Sequence, residues 1–231
     1  MRGINSPQYR RILRSIPASI QVSVLMTVFN TKIAYVKRAI DSLMSQDFQA
    51  FELIIIDDGS LGVNCEALMH YVEKYEDKVT YIRHSNRGQG ESINRWVSSS
   101  SGKFITILDS DDEYKPNHLS SCLREIVNYD LICSNTETIV DSADDYYIPD
   151  KNDTTKLIHL DEAVLFGTLF GRREVFEKLN FRSGFAADAA FYEQAKSQFR
   201  VQKVNLRTYV YHRNIPGSIC ATIKKSNLTN S

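Results

Sequence analysis

The stretch FITILDSDD at residues 104–112 joins a short, apolar and β-branched run to a turn that carries three carboxylates. An apolar run of this length, without alternating polar residues, is typical of a strand that is buried on both faces. The stretch therefore predicts an interior strand of a parallel sheet, with an acidic turn directly after the strand.

Similar apolar runs occur earlier in the chain. They lie at Val22–Phe29, Phe51–Ile56 and Val79–Ile82, and each is followed by apolar residues with helical spacing, as in Gly90–Ser99. Strands that alternate with helices form a mostly parallel sheet with both faces covered. We predict an α/β fold with a Rossmann-like, mostly parallel sheet flanked by helices.

The alternation loosens beyond Pro116. A helix through Leu119, Leu123 and Ile126 is followed by a predicted strand at 130–134 and by a polar stretch at 141–156. Further on we predict a helix at 173–179, a loop at 180–187, a helix that carries Asp188 and a strand at 201–210. No linker composition separates these elements from the first half, so we expect them in the same domain.

Composition limits the classes of protein that this chain can represent. Its 231 residues are 42% hydrophobic and 24% charged, with a formal net charge of zero. The hydrophobic fraction is sufficient for one sizeable core. The zero net charge argues against a protein that binds nucleic acid through its phosphates. The four cysteines lie far apart and form no CxxC pair, which fits free thiols in a reducing compartment.

The sequence predicts a cytoplasmic location, because no apolar run approaches the roughly 20 residues that cross a bilayer. The basic segment 9–14, YRRILR, is open to two interpretations. It is either a solvated arm or a peripheral contact with an anionic membrane surface, such as the inner face of a membrane.

Polar clusters follow three of the predicted strands: Asn30, the turn Asp57–Ser60 and the turn Asp109–Asp112. Ligands bind at the carboxyl ends of the strands in sheets of this kind, so the clusters are expected at one edge. The turn at 109–112 either binds a divalent cation, which relieves repulsion among its carboxylates, or is a solvated turn that caps the next helix. The turn at 57–60 is either ordinary Asp-Gly turn chemistry or, with the ring of Phe29, a site for a nucleobase.

Other candidate residues are less specific. Asn86–Gly90 contains a glycine pair that matches neither the dinucleotide nor the P-loop spacing. Asp188 follows an apolar loop and is either a helix N-cap or a general base. The segment from Tyr211 to Ser218 either folds over a diphosphate or is a surface tail.

Taken together and in their order along the chain, these segments resemble the family-2 glycosyltransferases with the GT-A fold. The resemblance extends from about Val22 to Ser218. The features that carry the resemblance are Val22–Asn30, Ser42–Gln46, Phe51–Ser60, Asn86–Gly88, Asn94, Gly102, Leu108–Asp112 and a closing stretch that contains Ser218. The resemblance implies a GT-A domain at 21–218, with a nucleotide-sugar-binding half at 21–115 and an acceptor-binding and catalytic-base half at 116–218. An N-terminal arm at 1–20 and a tail at 219–231 flank it.

The resemblance also implies roles for individual residues. Thr27, Phe29 and Asp58 would frame the nucleobase, and Asp109 would reach the ribose. Asp188 would be the catalytic base of an inverting transfer. Further donor contacts are expected from Asn30, Asn86, Gly88, Ser110 and Arg213, and a Mn²⁺ or Mg²⁺ site from Asp111, with Asp112 in support, and His212.

The resemblance implies a metal-dependent reaction that moves a hexose-type sugar from a nucleotide-diphosphate sugar, by resemblance a UDP-sugar, to a saccharide or glycolipid hydroxyl. Two positions depart from the family pattern. Ala187 stands where many members have a glutamate, and Ile93 stands where an arginine is frequent. These departures leave a non-catalytic nucleotide-sugar-binding module as an alternative, whereas a sugar nucleotidyltransferase would need a glycine-rich, basic loop after Val28.

Overall fold

The computed structural model describes residues 20–61 and 64–215. The basic segment 9–14, most of the predicted arm at 1–20, the end of the closing segment and the tail at 219–231 lie outside these residues. The predicted domain limits and the predicted membrane contact therefore stay predictions. In the part of the chain that the structure describes, no helix combines the length and the apolar character that crossing a membrane requires.

The first half alternates strands and helices as predicted. Its elements are β1 (Val22–Val28), α1 (Ile33–Met44), β2 (Phe51–Asp57), α2 (Asn64–Val72), β3 (Val79–Arg83), α3 (Gln89–Val97) and β4 (Phe104–Ile107). The second half contains β5 (Glu113–Tyr114), α4 (His118–Glu125), β6 (Leu131–Ile139), β7 (Tyr147–Pro149), β8 (Leu157–His159), β9 (Leu169–Arg172), α5 (Arg173–Lys178), α6 (Ala187–Lys196) and β10 (Val201–His212).

Eight of these strands form one sheet in the order β3-β2-β1-β4-β9-β6-β10-β5. β1 pairs in parallel with β2 and β4, so that Val22 lies beside both Phe51 and Phe104. β9 is antiparallel to both of its neighbours, β4 and β6, and β5 is antiparallel to β10. The sheet is mostly parallel, which confirms the predicted α/β class.

Both faces of the sheet are buried, which explains the unbroken apolar runs. On one face, Val24 and Met26 of β1 pack in the same cluster as Ile40 of α1. On the other face, Leu25 packs in a cluster with Ile93 of α3. The alternate residues of β1 thus enter different cores, so each strand must be apolar throughout.

The second half contains strand pairings that the sequence did not predict. The predicted strand at 130–134 continues to Ile139, and Leu169–Arg172 inserts between β4 and β6 as an antiparallel strand. Part of the polar stretch at 141–156 forms β7, which pairs with β8 in a separate hairpin. The sequence missed the β7–β8 hairpin because each strand has only three residues.

Candidate active site

The acidic turn lies directly after β4, as predicted. Asp109 and Asp111 are partly buried, whereas Ser110 and Asp112 are buried. Burial, followed by the charge of Asp111, raises the pKa of Asp109 to about 7. Burial also raises the pKa of Asp111. The turn is therefore a compact group of carboxyls whose ionised forms destabilise one another.

Asp112 anchors this turn to β10. Its Oδ2 accepts a hydrogen bond from the Tyr209 hydroxyl at 2.7 Å, and its Oδ1 accepts one from the His212 backbone N–H at 2.7 Å. Burial, with the charges of Asp109 and Asp111 added, raises the pKa of Asp112 well above its usual range. Both carboxylate oxygens of Asp112 thus accept hydrogen bonds from β10, so Asp112 lies on the side of the turn that packs against this strand.

Tyr209 is a residue of this site that the sequence did not reveal. Its fully buried hydroxyl lies 3.2 Å from Oδ2 of Asp109 as well as beside Asp112, and it accepts the Asp109 backbone N–H at 3.3 Å. A Cβ added at Gly167 would lie 2.1 Å from the Tyr209 ring, so glycine is required there. No local pattern could indicate a contact between residues 97 positions apart.

Asp111 is the carboxylate of the turn best suited to a cation. It has no ion-pair partner within 4.0 Å among residues 20–61 and 64–215. The guanidinium of Arg38 donates to its backbone carbonyl and pairs with Glu113 at 3.1 Å. Arg38 and His212 act on Asp111 only from a distance, and their charges lower its pKa less than burial raises it. A partly buried carboxylate without a close ion pair fits a Mg²⁺ or Mn²⁺ ion, which takes one or two protein carboxylates and completes its shell with water and phosphate oxygens.

The other predicted metal ligand, His212, is engaged elsewhere. Its Nε2 lies 2.7 Å from Oε1 of Glu113. Over the described ranges, no three His, Cys, Asp or Glu side chains converge closely enough to hold a metal ion by themselves. An ion bound at Asp111 would therefore need further oxygen ligands from water or substrate.

Asp58 connects the turn after β2 to the predicted glycine loop. Its buried carboxylate accepts the backbone N–H groups of Arg87 and Gly88, both at 2.8 Å, and the Asn86 side-chain amide at 3.2 Å. Gly88 has φ 89°, a conformation that favours glycine. The contact between Asp58 and a nucleobase stays a prediction, since here Asp58 holds the loop at 86–88.

Three further contacts join the strand ends to one another. Asn30 donates its backbone N–H to Oγ of Ser60 at 3.0 Å, and its Oδ1 accepts the Leu61 N–H at 2.9 Å. The Thr31 hydroxyl lies 2.8 Å from that of Ser110. The predicted clusters therefore meet at one edge, next to Thr27, which is partly buried, and Phe29, whose side chain is 51% exposed.

Asp188 lies in the first turn of α6, one residue after its start. The N-cap position belongs to Ala186, so the interpretation of Asp188 as an N-cap is wrong. Burial raises the pKa of Asp188 to about 6, although N–H groups of Ala189 and Phe166 lower it. The charge of Asp188 also raises the pKa of Asp109, with an effect smaller than those of burial and of Asp111.

Beside Asp188 opens a cavity of about 850 Å³. Its walls come from the β7–β8 hairpin and the residues on either side of it, from α6 and the loop before it, and from β10 and Arg213. Arg213 lies on this wall and donates to the Tyr147 carbonyl at 3.4 Å and to the Tyr211 hydroxyl at 3.3 Å. The predicted diphosphate contact of Arg213 stays a prediction, because these partners place it on the cavity side.

The two departures from the family pattern have structural explanations. Ile93 is fully buried in the core that α3 shares with β1, and Ala187 is buried at the start of α6. The neighbouring Asn94 donates to the Phe181 carbonyl at 2.8 Å and accepts the Phe181 N–H at 2.9 Å. Asn94 therefore holds the loop that leads to Asp188.

Comparison with known proteins agrees with this arrangement. The family model for glycosyl transferase family 2 matches residues 23–187, more than half of the chain. A Campylobacter jejuni protein, GalNAc(5)-diNAcBac-PP-undecaprenol beta-1,3-glucosyltransferase, is 31% identical over 107 residues, which are 46% of this chain and 34% of that protein.

Solved structures also resemble the fold, and two of them illustrate the likeness. One is TarS 1–349 of S. aureus in complex with UDP-GlcNAc, with a TM-score of 0.69 and 19% identity over 87% of this chain and 61% of that one. The other is the mannosyltransferase PcManGT of Pyrobaculum calidifontis in complex with GDP-Man and Mn²⁺, with a TM-score of 0.67 and 15% identity over 94% of this chain and 65% of that one.

The chain belongs to glycosyl transferase family 2, and its fold is GT-A. The prediction of a glycosyltransferase is confirmed at the level of the family. The chain spans roughly a third or less of the length of the curated relatives that it matches.

Proposed function

We propose that this chain transfers a sugar from a nucleotide-diphosphate sugar to an acceptor hydroxyl, with inversion at the anomeric carbon. The observation that carries the proposal is the position of Asp188. Its carboxyl has a pKa raised to about 6, lies on the wall of a large cavity and acts electrostatically on Asp109 in the acidic turn. A base near an acceptor cavity and an acidic turn near a donor edge are the two parts that the reaction needs.

The donor would occupy the edge where the strand ends meet. Thr27, Phe29 and Asp58 would surround the base, and Asp109 would contact the ribose. The contacts expected of Asn30, Asn86, Gly88 and Ser110 are supported by their place at this edge. The similar structures are complexes with UDP-GlcNAc and GDP-Man, which supports a nucleotide-sugar donor, and the family resemblance favours UDP.

The residue that would hold a divalent metal is Asp111, and Asp112 would support the turn from behind. His212 would join the site only by exchanging its contact with Glu113. A bound Mn²⁺ or Mg²⁺ supplies charge stabilisation to the departing diphosphate. The Mn²⁺ in the complex of the mannosyltransferase PcManGT supports this cofactor.

The proposed step is a single displacement. Asp188 accepts the proton of the acceptor hydroxyl while that oxygen forms a bond to the anomeric carbon. The bond from this carbon to the diphosphate oxygen breaks, and the nucleoside diphosphate leaves with the electron pair. A base of pKa about 6 is mostly ionised at neutral pH and still close to the operating pH, as general-base catalysis prefers.

The acceptor in this proposal is a saccharide or a glycolipid. The name of the C. jejuni relative includes undecaprenol, which supports the glycolipid alternative.

Exchange of Asp188 for asparagine tests the base. We expect Asp188→Asn to keep nucleotide affinity, since Asp188 lies on the acceptor side, and to lower transfer about 10²- to 10⁴-fold. Calorimetry with UDP and Mn²⁺ measures the first quantity, and release of nucleoside diphosphate with acceptor measures the second. Glu125→Gln, at an exposed carboxylate at the end of α4, is the control and should change neither. An Asp188→Asn protein with full transfer activity would exclude this base.

A further inference from the structure

The wall of the cavity beside Asp188 combines charged side chains with an aliphatic part. The aliphatic part is formed by Ile148, Pro149, Leu157, Ile158, Val164 and Leu165. The cavity volume of about 850 Å³ lies in the upper part of the range for ligand sites, which is about 300–1,000 Å³. The cavity thus offers a large apolar surface within reach of the proposed base.

Apolar side chains are also exposed at this cavity. Leu157 is 65% exposed, Phe185 is 57% exposed and Tyr147 is 46% exposed. All three belong to the cavity wall, where Tyr147 and Leu157 come from the β7–β8 hairpin and Phe185 comes from the loop before α6. Large apolar side chains that cluster on the surface of a folded protein mark sites where a ligand or partner covers them.

Several polar groups of the same wall already have partners. Lys151 and Lys196 both pair with Glu193, at 3.2 Å and 3.4 Å. The Asp150 carboxylate accepts the N–H groups of Asn152 and Asp153. An unpaired polar group against the side chains of Ile148, Leu157 and Ile158 costs free energy, because these side chains offer no hydrogen-bond partner. This part of the wall is therefore better suited to aliphatic carbon.

We infer that the acceptor is an amphiphile, a sugar with an apolar aglycone, and that the cavity lined by Leu157 and Phe185 holds the apolar part. This inference rests on the proposed function, in which the acceptor hydroxyl lies at Asp188. The sugar faces Asp188 at the start of α6, and the apolar part lies against the β7–β8 hairpin.

The test compares n-octyl β-D-glucopyranoside, below its critical micelle concentration, with methyl β-D-glucopyranoside. The two probes share a sugar and differ only in the alkyl group. Calorimetry on the full chain should give a dissociation constant at least about tenfold lower for the octyl glycoside, since each buried methylene strengthens binding a few-fold. Equal affinities for the two glycosides would overturn the inference.

Variants locate the effect in the cavity. Leu157→Asn should weaken octyl glycoside binding at least about threefold, because it replaces apolar wall by a polar amide. Val127→Asn is the matched control, since Val127 is also 65% exposed but does not line the cavity. Val127→Asn should leave the affinity unchanged. Equal effects of the two variants on octyl glycoside binding would overturn the inference. A double variant that carries both Leu157→Asn and Phe185→Ser should bind the octyl and the methyl glycoside with equal affinity.

Nucleotide binding separates this inference from the proposed function. If the wild-type chain binds UDP or GDP with Mn²⁺ but shows no octyl preference, the cavity assignment alone is wrong. If it prefers the octyl glycoside but binds no nucleotide, the proposed function is wrong, and with it the identification of the apolar ligand as an acceptor.

Discussion

The donor edge and the acceptor cavity are built in different ways. At the donor edge, buried polar side chains bond strand ends to one another, as Asp58 does with the loop at 86–88 and Asp112 does with β10. At the cavity, exposed apolar side chains such as Leu157 and Phe185 line a space of about 850 Å³. The first region should be rigid and intolerant of substitution, whereas the second should tolerate changes that alter the choice of ligand.

The largest effect on stability is expected at Gly167, where the donor edge is supported from behind. Gly167→Ala would place a Cβ 2.1 Å from the fully buried ring of Tyr209. Overpacking of a core costs typically 1–3 kcal/mol, and we expect about 3 kcal/mol here because both groups are buried. Urea unfolding measures the change. Unchanged stability would show that Tyr209 can move, and would remove the contrast in rigidity between the two regions.

A smaller effect is expected from Tyr209→Phe. The variant removes the hydroxyl that bonds Asp112 and leaves a buried carboxyl with one donor fewer. Loss of a partner from a buried polar group costs about 1–3 kcal/mol. Urea unfolding measures this change as well. Tyr75→Phe is the control, since Tyr75 donates to Asp41 at an exposed position, and it should cost less than about 0.5 kcal/mol.

Tyr209→Phe also tests whether the support of the turn matters for the donor. Calorimetric titration of the folded variant with UDP and Mn²⁺ should show weaker binding than the wild type, because Asp109 and Asp112 lose their common partner. Wild-type affinity in a destabilised variant would limit the role of Tyr209 to stability.

The two regions also differ in how far the sequence predicts them. The ends of β1, β2 and β4 could be found because each strand and its polar turn are contiguous in sequence. The support from Tyr209, the insertion of β9 beside β4 and the β7–β8 hairpin depend on contacts between distant segments. Such pairings leave no periodic pattern in a single sequence, so only tertiary structure reveals them.

Asp188 illustrates both what the sequence predicts and what it does not predict. Its possible chemistry could be predicted from its place after an apolar loop and from the family resemblance. Its exact position in α6 could not, because the left-handed conformation of Ala186, with φ 54°, starts the helix earlier than an N-cap at Asp188 would. Alanine rarely adopts this conformation, so the sequence gives no signal for it.

The pH dependence of kcat/KM tests the central claim, that Asp188 is the base of the transfer. With metal present, kcat/KM should fall about tenfold per pH unit below the pKa of Asp188, since protonation removes the base. It should level off above that pKa, which is about 6. The residual activity of Asp188→Asn should lack this limb. A flat wild-type profile, or the same limb in Asp188→Asn, would contradict the account.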